Sequence, residues 1–200
     1  MGLATLVSNR NQTHATSPSV TNPVSGQREL TVMDEKTEIA AGAKAHQEVL
    51  QEYGVLKDAA LQAYVDGVGQ KLAAASHRAQ LKWSFTVLDS PEINAFALPG
   101  GYIYITRGLM AYLDSEAELA GVLGHEIGHV TARHGAQQAT RQAGAGVGVG
   151  LATLGGVLLE MATGVPGIAQ AAGGVAQAGA AGLVASYSRD QELQADQLGA

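Results

Sequence analysis

His125-Glu126-Ile127-Gly128-His129 sets two imidazoles around a carboxylate at the spacing H-E-x-x-H. Residues four apart on a helix of ~3.6 residues per turn stand about 40° apart, so both rings can reach one ion. Zinc accepts neutral imidazole nitrogen at ~2.0–2.1 Å, which makes it the expected metal, one ion per chain. The chemistry this pattern implies is hydrolysis: the ion acidifies a water, and Glu126 takes the proton. Two surface histidines on an ordinary amphipathic helix would spell the same five residues.

A catalytic zinc needs a third protein ligand and one open position. His134 lies nine residues beyond His125, about half a turn away and on the opposite face of a continuous helix. The metzincin pattern fails, because Ala132 stands where it wants Gly and Gly135 where it wants His. Glu192 and Asp196 are better placed, since i, i+4 spacing puts them on one helical face. Glu192 can ligate the ion while Asp196 accepts the free N–H of a ligand histidine, fixing its tautomer. By itself that segment would also read as a solvated, mixed-charge helix end. Asp190 and Glu160 are weaker substitutes, having no partner at that spacing.

The elements that must carry these residues are legible in outline. Ser115 and Glu118 form a capping-box pattern, and Leu119, Val122, Leu123, Ile127 and Val130 give the metal helix a buried stripe. Gly121, Gly124 and Gly128 each weaken an isolated helix by ~1 kcal/mol relative to Ala, so close-packed neighbours are expected there. Asp34 can cap a helix through Ile39, Ala43, His46, Val49 and Leu50 that closes near Gly54. A second helix runs from Asp58 through Leu61, Tyr64, Val65, Val68 and Leu72. Residues 81–88 alternate and carry Trp83, Phe85 and Val87, which reads as a strand. Residues 94–98 and 102–106 read as two more, with Pro99 and Gly100 suited to the turn between them. That pair fits a plain structural hairpin as well as a substrate-binding edge.

Composition narrows the function. Two hundred residues, 46% hydrophobic, suffice for one cored domain. A net charge of −6 and no cluster of Lys and Arg argue against nucleic acid as a partner. With no cysteine, thiol catalysis, disulfides and Cys-ligated zinc are excluded. Residues 1–30, rich in Ser, Thr, Asn and Gln, read as a flexible leader without signal-peptide character, and residues 31–200 as the domain. Leu6 breaks the myristoylation pattern that Met1-Gly2 begins.

Between Arg141 and Arg189 the only charged residue is Glu160. Gly146, Gly148 and Gly150 do not complete a phosphate-binding loop. The longest uncharged run falls short of the ~20 residues of a membrane helix. Residues 144–182 therefore fit a buried helical hairpin, an apolar lid over the cleft, or a surface touching a membrane or partner.

Three blocks together, residues 94–101, residues 125–134 and residues 192–196, closely resemble the zinc endopeptidases related to HtpX and the CAAX prenyl proteases. Asn22-Pro23-Val24-Ser25-Gly26-Gln27-Arg28-Glu29-Leu30 is most similar to their soluble, exported BepA-like branch. The resemblance implies an α+β, gluzincin-type peptidase domain, mainly helical, with a small mixed or antiparallel sheet. It implies zinc on His125, His129 and Glu192, Glu126 as catalyst, and an edge strand at Asn94, Ala95, Phe96, Ala97 and Leu98 for substrate. It further implies a periplasmic role in envelope protein quality control, with protein substrates and the outer-membrane assembly machinery as partners. Relatives of that branch add a C-terminal helical-repeat domain, whereas this chain stops at Ala200, so a truncated protein is expected.

An oxyanion donor is left open between Tyr187, Arg189 and a residue beyond Ala200. Two rivals to an active peptidase stand beside it. One is a catalytically silent zinc protein whose apolar segment binds unfolded clients. The other is a peptidase plugged by that segment until a partner withdraws it.

Overall fold

The computed structural model describes residues 19–144 and 187–200. In chain order these form β1 (Ser19–Thr21), β2 (Arg28–Leu30), α1 (Glu35–Tyr53), α2 (Ala59–Ala75), β3 (Ser84–Leu88), β4 (Ala95–Leu98) and β5 (Tyr102–Thr106), followed by α3 (Arg107–Met110), α4 (Glu116–Thr131), α5 (His134–Gly144) and α6 (Arg189–Gly199). The architecture is α+β with a small mixed sheet, as the sequence leads one to expect.

The sheet has the order β3-β5-β4, with β5 parallel to β3 and antiparallel to β4. The turn between β4 and β5 requires Gly100 and Gly101, whose φ values of 88° and 100° exclude most side chains. Alternation then sorts the side chains between two faces. Phe85, Val87, Ile103 and Ile105 join Val65 and Val68 of α2 and Leu119, Leu123 and Ile127 of α4 in the larger core. Phe96, Leu98 and Tyr104 point the other way, onto Ala45 and Val49 of α1. The sheet is thus clamped between α1 and the α2–α4 pair, with β4 an edge strand among the described residues.

The helix starts follow local chemistry. Asp34, Asp58 and Ser115 accept from the backbone N–H groups of Thr37, Leu61 and Glu118. Glu118 does not complete the expected box with Ser115; its carboxylate accepts from the Asp114 N–H instead, at 2.6 Å.

Helix α1 starts at the expected Asp34 cap and closes at the expected Gly54. Its buried face is Glu38, Ala41, Gly42, Ala45 and Val49. Glu38 belongs to that face because it is turned inward to Arg78 and Arg133. One expectation is corrected: the leader does not extend unstructured to Leu30, since residues 19–30 form the antiparallel β1–β2 hairpin. Asn22 organises its turn by accepting from the N–H groups of Val24 and Ser25, and Glu29 accepts from Gln137 of α5 at 3.0 Å. Residues 1–18, and all of 144–182 beyond Gly144, lie outside the described residues. No helix among the described residues is long and apolar enough to cross a membrane.

Candidate active site

Helix α4 brings His125 and His129 to one face, and α6 crosses it antiparallel at very short range. A Cβ added to Gly128 would stand 2.7 Å from the Ala195 carbonyl oxygen, and one added to Gly124 2.6 Å from that of Gly199. Two of the three glycines in α4 therefore exist for helix contact. Gly121 is the exception, facing open space.

That contact delivers Glu192. The Nε2 atoms of His125 and His129 face each other at 2.9 Å, and Glu192 Oε2 lies 3.3 Å from the first and 3.8 Å from the second. Donors in a tetrahedral zinc shell with bonds of ~2.0–2.1 Å stand about 3.3–3.4 Å apart. The three atoms fit such a shell and form a group that could hold a metal ion. Asp196, one turn beyond Glu192, places Oδ1 2.8 Å from His125 Nδ1. Asp190, the weaker substitute, is exposed at the start of α6.

The electrostatics suit a cation. Burial pushes His129 down to about 3, reinforced by His125 and His134, so its imidazole is neutral and its lone pair free to bind. Burial pushes the Glu126 carboxyl up to about 7; neighbouring His125 opposes the rise and Glu192 adds to it. Such a carboxyl both accepts and releases a proton near neutrality. The chemistry these groups permit is metal-assisted proton transfer at a partly buried site.

His134 was expected on the far face of a continuous helix, and the structure corrects this. Helix α4 ends at Thr131, and Arg133 takes a φ of 59° before α5 begins at His134. That left-handed residue is held by Glu38 through its guanidinium, at 2.7 Å. The chain folds back, and His134 Nδ1 comes to 2.9 Å from His129 Nδ1. Nothing in a periodicity pattern signals such a break at a non-glycine residue.

Tyr187, one of the open oxyanion candidates, stacks on the His129 ring at 4.0 Å between centroids and 20° between planes. Burial, then Glu126 and Glu192, hold its phenol protonated. Arg189, by contrast, is exposed at the start of α6. A recess beside His129 is lined by Ala97, Leu98, Pro99, Gly135 and Tyr187, so the end of edge strand β4 borders the cluster.

Known proteins are similar to more than half of the chain. The putative beta-barrel assembly-enhancing protease of Vibrio cholerae is 37% identical over 145 residues, 72% of this chain and 30% of that protein. The beta-barrel assembly-enhancing protease of Escherichia coli K12 is 32% identical over 145 residues, 72% of this chain and 29% of its own length. The mitochondrial metalloendopeptidase OMA1 of Schizosaccharomyces pombe is 34% identical over 122 residues, 58% of this chain and 35% of that protein. The chain thus spans about 30% of the length of the bacterial relatives it matches. Peptidase family M48 matches residues 59–200, a span holding His125, Glu126, His129, Glu192 and Asp196. The chain belongs to peptidase family M48.

Proposed function

We propose that this chain is the catalytic unit of a zinc-dependent endopeptidase of gluzincin type, acting on misfolded or unassembled proteins of a bacterial envelope. The observation that carries the reading is the convergence of His125 Nε2, His129 Nε2 and Glu192 Oε2 from two helices whose Asp196–His125 contact spans 71 residues of sequence. In this reading those three residues hold zinc, Glu126 is the catalytic base and acid, and Asp196 orients His125. When bound, zinc would supply Lewis acidity to the attacking water and the scissile carbonyl.

The remaining work falls to the chain's own groups. Glu126 accepts a proton from the attacking water as its oxygen bonds to the carbonyl carbon. It then gives that proton to the amine nitrogen as the C–N bond breaks. Burial of this carboxyl favours its protonated form, which is the form that must persist between the two transfers. Half-buried Tyr187, its ring stacked on His129, is the O–H donor in the set left open by the sequence. Extended peptide adds to the edge formed by Asn94, Ala95, Phe96, Ala97 and Leu98, through backbone hydrogen bonds that carry little sequence preference.

The bacterial relatives are named for enhancing beta-barrel assembly, and a periplasmic setting with a connection to outer-membrane assembly machinery is part of the proposal. Membrane-surface contact through residues 144–182 belongs to the same proposal. The test is casein cleavage with and without a chelator, for the wild type and for Glu126→Gln. The proposal expects chelator-sensitive cleavage by the wild type and none by Glu126→Gln, which still binds zinc. Normal cleavage by that variant would remove Glu126 from the mechanism. A wild type that binds zinc and casein without cutting would favour the silent binding module.

A further inference from the structure

His134 is fully buried, yet nothing in the mechanism above uses it. Its two ring nitrogens are both engaged. Nδ1 lies 2.9 Å from His129 Nδ1, and Nε2 lies 2.9 Å from the side-chain oxygen of Gln194 on α6.

The directions of these contacts follow from the metal reading, on which this inference rests. If His125 and His129 both turn Nε2 lone pairs to one ion, each neutral ring must carry its hydrogen on Nδ1. The His125 hydrogen goes to Asp196 Oδ1. The His129 hydrogen points at His134 Nδ1, which must then present a lone pair. His134 therefore carries its own hydrogen on Nε2, where Gln194 Oε1 accepts it. The opposite tautomer of His134 would set two hydrogens against each other. His129 would then have to move its hydrogen to Nε2, into the place of the ion.

We propose that His134 is a positioning residue: it accepts the His129 Nδ1–H and thereby presents His129 Nε2 to the metal, with Gln194 fixing the tautomer of His134. Helix α6 then sets the whole centre. It supplies Glu192, orients His125 through Asp196, and orients His129 through Gln194 and His134. The two histidines differ in their support, an anionic carboxylate behind His125 and a neutral imidazole behind His129.

The experiment compares the wild type with His134→Leu and His134→Asn in the full chain. It uses zinc affinity by chelator competition, circular dichroism, and long-range proton–nitrogen spectra that report imidazole tautomers. Outer partners of ligand histidines contribute about 10–100-fold in metal affinity. His134→Leu should bind zinc that much more weakly with an unchanged helical spectrum. His134→Asn, which keeps an acceptor near the Nδ1 position, should recover most of the affinity. In zinc-loaded wild type, His129 should read as Nδ1–H and His134 as Nε2–H. A His134 signal from Nδ1–H, or wild-type zinc affinity in His134→Leu, would overturn the assignment. Should His134→Leu fail to fold, Gln194→Leu keeps the imidazole while freeing its tautomer. A mixed His134 tautomer with weakened zinc binding then supports the proposal, and an unchanged spectrum contradicts it. Absence of zinc binding by the wild type would sink the metal centre itself. Normal zinc in the wild type and in His134→Leu alike would sink only this inference.

Discussion

Asp196 Oδ1 lies 2.8 Å from His125 Nδ1, one helical turn beyond the carboxylate that faces the same imidazole from its other edge. One helix therefore grips His125 on both nitrogens. Asp196→Ala keeps the ligand set but frees the ring to rotate and to change tautomer. Zinc affinity should fall about 10–100-fold, the usual effect of losing an outer hydrogen-bond partner. Chelator competition measures it, and undiminished affinity would mean the contact has no part in metal binding.

Glycine substitutions in α4 should separate by position. Replacing an exposed helical glycine with alanine ordinarily stabilises by about 0.8–1 kcal/mol. Gly121 faces open space, so Gly121→Ala should behave in that way. Gly128→Ala drives a Cβ to 2.7 Å from the Ala195 carbonyl oxygen, and α6 must retreat. Overpacking of this kind costs roughly 1–3 kcal/mol, and here it also draws Glu192 away from the histidines. Denaturant unfolding and zinc titration should move together for Gly128→Ala, whereas Gly121→Ala should leave zinc binding unchanged. A stabilised Gly128→Ala with full zinc affinity would refute the close α4–α6 contact.

Glu38 anchors the end of α4 from a distance. One carboxylate oxygen accepts from Arg78, which also donates to the Val130 carbonyl at 2.9 Å, and the other accepts from Arg133. All three side chains are buried. Glu38→Gln takes the buried anion from both guanidiniums, leaving Arg78 only the half-exposed Glu35 at 2.9 Å, and breaking a buried pair costs about 3–5 kcal/mol. The loss should appear as a lower unfolding midpoint, together with a weaker hold on the left-handed turn at Arg133. Unchanged stability would show that solvent or Glu35 compensates the two cations.

The grouping of the candidate centre was legible because its geometry is local twice over. Four-residue spacing pairs His125 with His129 and Glu192 with Asp196, and the caps at Asp34, Asp58 and Ser115 fix where helices begin. Alternation in β3, β4 and β5 likewise announces which side chains share a face. Legibility failed where a distant partner decides local conformation. Glu38 reads as an exposed acidic residue until Arg78 and Arg133 arrive from 40 and 95 residues away. Arg133 gives no sign of a positive φ, so the helix seemed to run on and carry His134 out of reach. The polar composition of residues 19–30 likewise conceals a hairpin held in part by Glu29 accepting from Gln137 across 108 residues.

Zinc content after exhaustive dialysis, compared between the wild type and Glu192→Ala, bears most directly on the proposed centre. The account predicts one zinc per wild-type chain and far less than one in Glu192→Ala, with circular dichroism showing that the helices persist. A Glu192→Ala chain that keeps a full equivalent of zinc at wild-type affinity would contradict it, because the third ligand would then have to lie elsewhere.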